Sequence, residues 1–345
     1  MFYLCANTNR RVVHKIICSG NLTARIVNNL TWKSYSHVKI IKGEENGRFP
    51  HCNTILITDE VNAIVDPGAG EKILKKLLKN YRIDLVINTH YHFDHIWFNY
   101  LFRDAEIHLN KYDAPCFESL DILAERLGIQ EVYGIEGVKR WKKTISSESR
   151  EPLGYTPKNR HEWVLSTSRL DGEYEDGKIF DFGSTKAEAI RMPGHTAGFC
   201  CFYFPNEKLV YTADIDLTGF GPWYGGSDGD IQNFLDSVKR ATELNASIYV
   251  TGHEIGIVSK SEFLAKLEKF KSKIFERDEK ILKFVRSRKK GATLNEITSQ
   301  GLIYDHEFLV DEWICMWEKI MVRKHLERLE ALDFLCSEEN KYYAK

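Results

Sequence analysis

The chain has 345 residues with 48 Lys+Arg against 49 Asp+Glu, a formal net charge of −1, so no whole-protein field draws it onto nucleic acid or an anionic membrane. Hydrophobic residues at 43% and charged residues at 28% set it apart from disordered and collagen-like chains, and at roughly 150 residues per domain the length predicts about two domains. No run approaches the ~20 apolar residues that span a bilayer, the eight cysteines include no C-x-x-C pair, and the apolar start breaks off at Asn7, so reduced thiols, no membrane and a cytoplasmic setting are expected.

Residues 1 to about 35 are polar and irregular, with strand pieces expected at 12–18 and 33–41. Short β-branched runs at 53–58, 62–66 and 83–90 then alternate with GEKILKKLLKNY, whose apolar residues recur at three and four; strand, strand, helix, strand is predicted. A short helix (HIWFNYLF) and a strand (EIHL) follow. Residues 111 to about 172 break this rhythm, helical in FESLDILAERLG and GIEGVKRWKK and loop-like in SSESREPLGYTPKNR, and read as an insertion forming a cap. Strand-like segments return at 178–191, 199–205, 208–213 and 247–252, with a helix at 230–244. Such alternation predicts an α/β layered core. Beyond 258 the strands stop: a helix at 259–288, one opened by the capping box Thr293-x-x-Glu296, a third over about 308–332 and a short polar-aromatic end. The expected domains are 1–258 and a mostly helical 259–345.

Three of the twelve histidines fall in THYHFDH: His90, His92 and His95, with Asp94 between them. The run follows a β-branched strand, so His90 and His92 point the same way if the chain is still extended there. Imidazoles and a carboxylate converging at a strand end suit a borderline-soft divalent metal. His195 in MPGHTAG, Asp214 in LVYTAD and His253 in IYVTGH also end strand-like runs, which would deliver them to one edge of a sheet.

With these residues in order, the chain resembles the metallo-β-lactamase-fold hydrolases over roughly residues 38 to 258, by H-x-H-x-D-H at His90, His92, Asp94 and His95, then His195, Asp214 and His253, with Asp66 in VDPG as the earlier motif acid. The resemblance implies an αβ/βα sandwich with a two-metal site at the sheet edge. His90, His92 and His195 would hold one metal, Asp94, His95 and His253 the other, and Asp214 would bridge them. Asp66 would support the ligands, or equally end a strand in a turn before Pro67-Gly68. Two divalent ions about 3.5–4 Å apart can activate a bridging water, so hydrolysis is the expected reaction, with Asp94 orienting the nucleophile and shuttling its proton. Zinc is the favoured metal, with iron or manganese as alternatives. The expected substrate is a small ester, thioester or lactone, as in glyoxalase II and the lactonases; a mononuclear iron persulfide dioxygenase and a ribonuclease are the alternatives.

The stretch after Asp214, DIDLTGFGPWYGGSDGD, would lie beside the metals, where Tyr224 could offer its hydroxyl to a developing oxyanion if it does not simply pack in a Pro-Trp turn. The insertion is expected to cover the mouth of the site, its Arg140, Trp141, Lys142 and Lys143 forming a solvated helix face or meeting an anionic substrate. The last 87 residues hold 18 Lys+Arg and 16 Asp+Glu and resemble a winged-helix module, with Arg323, Lys324 and Arg328 expected to be exposed on its long helix. Structural support or a homodimer contact is the favoured role there, nucleic-acid contact the less favoured one.

Overall fold

The computed structural model describes residues 31–146 and 169–345. The strand piece expected at 12–18 and the loop-like stretch at 147–160 lie outside the described residues.

Two sheets form the centre. In the first, β1 (Thr31–Tyr35), β2 (Val38–Ile41), β3 (Thr54–Ile57), β4 (Ala63–Val65), β5 (Leu85–Ile87), β6 (Glu106–Asn110) and β7 (Gly172–Tyr174) lie side by side in chain order, antiparallel as far as β4 and parallel from there. In the second, β8 (Ile179–Asp181), β9 (Lys186–Arg191), β10 (Cys200–Phe204), β11 (Leu209–Ala213), β12 (Ile248–Thr251) and β13 (Ile257–Ser259) are antiparallel except for the parallel pair β11–β12. The single segment expected over 178–191 is a hairpin that turns at Phe182–Thr185, where Gly183 takes φ +121°.

Side-chain alternation sorts the strands between two cores. Ile55, Ile57, Ala63, Val65 and Ile87 enter the cluster that also holds Phe202, Tyr211 and Val250 of the second sheet. Their neighbours Leu56, Ile64 and Val86 point the other way, onto Leu74 and Leu77 of helix α1 (Glu71–Leu78), a helix that buries leucines and turns Lys72, Lys75 and Lys76 to water. The insertion thickens this same outer layer: α3 (Pro115–Glu118), α4 (Leu120–Arg126) and α5 (Ile129–Ser146, interrupted at Gly134) contribute Phe117, Leu123 and Trp141. Helices α6 (Ile231–Glu243) and α7 (Lys260–Arg286) bring Phe234, Val238, Phe263 and Phe270 to the second sheet's cluster, giving the helix–sheet–sheet–helix layering that was expected.

The C-terminal residues fold as α7, β14 (Ala292–Thr293), α8 (Leu294–Thr298), α9 (Glu312–Ala331), β15 (Leu335–Glu338) and β16 (Lys341–Ala344). The capping box at Thr293 and Glu296 is formed in both directions. The polar-aromatic end is a hairpin rather than a tail: Glu339 and Asn340 both take positive φ, the geometry of a two-residue turn that matches strand twist, and β16 also pairs with β14. Helix α7 crosses between cores, its Phe263, Leu267 and Phe270 in the first unit's cluster and its Ile281, Leu282 and Val285 in a cluster with Leu326 and Leu335. Helix α9 does the same, sending Trp313, Met316 and Ile320 into the outer core of the first unit.

Candidate metal centre and its pocket

The loops that follow β5, β9, β11 and β12 carry seven side chains to one place. His92, extended at φ −68° and ψ 150°, is the N-cap of α2 (Phe93–Ile96), which carries Asp94 and His95, while His90 sits in a bend over Thr89 to Tyr91 that follows β5. Glycine makes room on both sides. A Cβ on Gly68 would lie 1.8 Å from the Asp94 carbonyl oxygen, and one on Gly194, at φ +126°, would lie 2.3 Å from the Phe234 nitrogen.

The donors fall into two groups, His90, His92, His195 and Asp214, and Asp94, His95 and His253, each with its donor atoms within 4.8 Å of one another. In the first, His195 Nε2 lies 2.8 Å from His92 Nδ1, 3.2 Å from His90 Nε2 and 3.1 Å from Asp214 Oδ2. In the second, Asp94 Oδ2 lies 3.2 Å from His253 Nε2 and 3.8 Å from His95 Nε2. Asp214 Oδ1 faces this second group, 2.8 Å from His95 Nε2 and 3.6 Å from His253 Nε2. Tetrahedral donors at about 2.0–2.1 Å from an ion stand about 3.3 Å apart, close to these separations. The approach of His95 Nε2 to Asp214 Oδ1 lacks hydrogen-bond geometry, and both atoms are buried without a hydrogen-bond partner. Donors aimed at a common centre rather than at each other fit a cation there.

The remaining ring nitrogens set the tautomers. His195 Nδ1 donates to the Trp223 carbonyl at 2.9 Å and His253 Nδ1 to the carbonyls of Gly47 and His51 at 2.9 and 3.0 Å. A carbonyl can only accept, so each Nδ1 carries the hydrogen and each Nε2 presents a lone pair to the centre. Asp66, buried and at φ 53° after β4, does the same for two more rings. Its Oδ2 accepts from His95 Nδ1 at 2.7 Å and from the Thr89 hydroxyl at 2.7 Å; that hydroxyl oxygen then accepts from His90 Nδ1 at 2.9 Å. Asp66 also accepts from the Thr89 amide and the Tyr211 hydroxyl. It therefore supports the ligands rather than joining them.

Burial and neighbouring charges shift these groups in opposite directions. Burial, with help from His95 and His195 respectively, pushes His90 and His92 well below the ordinary imidazole range. Burial acts the same way on His95 and His253, but Asp214 and Asp94 beside them, with Asp66 beside His95, outweigh it and hold both well above that range. Burial would raise the carboxyls of Asp94 and Asp214; His95 overrides it and both stay below the ordinary range.

Five of them, His92, Asp94, His195, Asp214 and His253, form the floor of a cavity of about 550 Å³, with His90 and His95 buried beneath. Its wall departs from expectation. Of the described insertion residues only Leu127 reaches it; the cover comes from the C-terminal unit, whose Tyr304, Phe308, Trp313, Ile314 and Trp317 line it together with Trp223. Sequence reading missed them, and the one signal was an aromatic cluster at the start of α9 with no evident partner. Arg140 and Lys142 instead meet Glu312 and Asp121 on the surface, and Trp141, expected on the solvated face, is buried in the outer core.

Tyr224 is also corrected. It is fully buried, away from the cavity, and its hydroxyl donates to His325 Nε2 at 2.7 Å while accepting from Arg277 at 2.9 Å. Its neighbour Trp223 faces the site instead, because side chains on successive extended residues diverge. The basic residues of α9 are not exposed as expected. Lys324 is buried and donates to the carbonyls of Tyr224, Gly226 and Gly229, Arg328 pairs with Asp278 at 3.1 Å, and Arg323 pairs with Glu131 at 3.0 Å.

Residues 47–112 and 120–253 match the family described as Metallo-beta-lactamase superfamily. A hydroxyacylglutathione hydrolase of Pelagibacter ubique is 27% identical over 204 residues, 58% of this chain and 65% of that protein, so the match spans less than two thirds of this relative. A "Probable metallo-hydrolase" of Methanocaldococcus jannaschii is 28% identical over 220 residues, 61% of this chain and 92% of that protein. The crystal structure of a beta-lactamase domain protein from Burkholderia ambifaria superposes with a TM-score of 0.64 at 14% identity, covering 91% of this chain and 93% of that one, a share that cannot be reached without the C-terminal unit. The family match runs through more than half of the chain and takes in every clustered histidine and aspartate, and the chain belongs to the metallo-beta-lactamase superfamily.

Proposed function

We propose that the chain is a hydrolase that holds two divalent ions, zinc in the first place and iron or manganese as alternatives, and cleaves a small ester, thioester or lactone. The observation that carries this reading is the Asp214 carboxylate, one oxygen turned to each group of donors. His90, His92 and His195 would hold one ion and Asp94, His95 and His253 the other, with Asp214 shared. Bound there, such ions supply Lewis acidity toward an acyl oxygen and lower the pKa of water toward neutrality. The chain's own residues do the rest. The carbonyls of Trp223, Gly47 and His51 and the Asp66 carboxylate keep imidazole lone pairs turned inward, Asp94 orients the nucleophile and takes its proton, and the aromatic wall keeps bulk water away.

Similarity to a hydroxyacylglutathione hydrolase makes thioesters the first class to assay. A mononuclear iron centre has less support, because the second group has a full set of donors. So has RNA cleavage guided by the C-terminal unit: its order of helices and hairpin supports a winged-helix-like module, but Lys324 and Arg328 on the long helix are occupied within the protein.

Elemental analysis of the purified protein should find two divalent ions per chain, and Asp94→Asn should lower kcat on a thioester by about 10²–10⁴ while the protein stays folded. Retention of no metal by the wild-type chain, or full activity in Asp94→Asn, would overturn the reading.

A further inference from the structure

The wall of the cavity is aromatic to an extent that metal binding does not require. Trp223 stands edge-on to His92 with ring centroids 5.0 Å apart and edge-on to Trp317 at 5.6 Å; Trp317 lies 5.7 Å from Trp313, which lies 6.5 Å from Phe93. The indole N–H of Trp223 is engaged by the Tyr304 hydroxyl at 2.9 Å, which locks that ring in place. All of these side chains line the cavity. The residues from Tyr304 to Trp317 lie beyond residue 253, where the family match ends, so this part of the wall is an addition of the C-terminal unit.

Charge points the same way. Among the described residues the one Lys or Arg that lines the cavity is Arg48, and its guanidinium lies 3.6 Å from the Glu254 carboxylate, another lining group. Asp216 adds a further acid to the lining. Apart from the proposed ions, the described lining has no Lys or Arg beyond Arg48, which is already paired, and an anion there would face Asp216 and Glu254.

We propose that the substrate carries an uncharged aromatic or bulky apolar group seated against the wall formed by Trp223, Phe308, Trp313 and Trp317, with its cleavable acyl carbon toward the clustered histidines and aspartates. This rests on the hydrolase reading above and narrows it: the favoured thioester is a neutral aryl-acyl or branched-acyl one rather than a glutathione conjugate with its two carboxylates. In the reaction a water oxygen bonds to the acyl carbon and the C–S bond breaks. The products are a carboxylic acid and a thiol, the sulfur taking a proton that the water gives up.

The test uses the metal-loaded full chain and three thioesters: phenylacetyl- and acetyl-N-acetylcysteamine, which differ in the apolar group, and phenylacetyl-glutathione, which differs in charge. The expected kcat/KM for phenylacetyl-N-acetylcysteamine exceeds that for each of the others by at least about tenfold. Trp317→Ala and the half-exposed Phe308→Ala should each lower the phenylacetyl-to-acetyl ratio by at least about threefold, through KM. Phe308→Ala keeps the test independent of folding, because that side chain is 43% exposed. A ratio near one in the wild type, a preference for the glutathione conjugate, or ratios unmoved in both variants would overturn the proposal. If the wild-type chain hydrolyses none of the three, the thioester reading fails, and the cavity is judged by binding alone. Calorimetry with the thioethers S-benzyl-N-acetylcysteamine and S-benzylglutathione should then still favour the neutral one, and equal or tighter binding of the glutathione thioether would overturn the proposal.

Discussion

Asp66 contacts no proposed ion, yet it organises much of the centre. Its carboxylate holds His95 directly and His90 through the Thr89 hydroxyl, so replacing one acceptor oxygen with an amide frees ring orientations that four hydrogen bonds now restrict. Asp66→Asn should weaken zinc binding by about 10- to 100-fold, read by competition with a chelator; unchanged affinity would show that His90 and His95 are held without it. Tyr224 is the opposite case, a residue next to the site in sequence but turned away from it. Tyr224→Phe removes the link between Arg277 and His325 and should cost about 1–2 kcal/mol of stability in urea unfolding, while kcat changes less than about threefold. An oxyanion donor would instead cost about 10²–10³ in kcat. The seven ligand-type residues were legible because residue type, spacing and strand ends agree. The direction of Tyr224 was not, since successive residues in GPWYGG point to opposite sides and the pattern does not say which side is the cavity.

At the scale of elements, the segment from Leu217 to Gly229 joins the two units. Arg277 of α7 donates to the carbonyls of Pro222 and Phe220 at 2.6 Å each, and Lys324 of α9 donates to three more carbonyls of the segment. Between them lies the Trp223 carbonyl that holds His195, so the C-terminal helices fix a loop on which a proposed metal ligand depends. Burial pushes the Lys324 ammonium down to about 8 from 10.5. Between those values the unfolded chain holds the proton and the folded chain has released it, so this group's contribution to stability rises with pH there and is constant below. The difference in unfolding free energy between wild type and Lys324→Met should therefore grow by roughly 1–3 kcal/mol from about pH 8 to about pH 10.5 and stay flat below about pH 8. A difference that falls over that range would contradict the buried-ammonium assignment. In the sequence Lys324 reads as one more basic residue among alternating charges, because the carbonyls it meets lie about 100 positions earlier.

For the whole molecule, α7 and α9 each contribute to the cores of both units, and Ile320, with no exposure, packs in the same cluster as Leu74 and Phe117. Unfolding should therefore be a single transition, with Ile320→Ala lowering stability by about 2–5 kcal/mol and shifting near-ultraviolet circular dichroism and tryptophan fluorescence together; two separated transitions would show the units to be independent. Local rules in the sequence were enough for most strands of both sheets, though not for β7, β13 or the turn inside 178–191, and for the capping box at Thr293, the layered class and the set of histidines and aspartates, because each depends on side-chain period or on chemistry carried by neighbours. The end hairpin escaped, since its four-residue strands are too short for a period to show and Glu339-Asn340 is a weak turn signal. Which surface covers the site was beyond local rules. The insertion, adjacent in sequence, packs on the outer helix layer, while α9, more than two hundred positions from His92, closes the cavity with Trp313 and Trp317. Helix α9 is apolar on several faces, and its pattern records that each must be buried but not against what; only the tertiary packing of both units decides that one of them faces the metal centre.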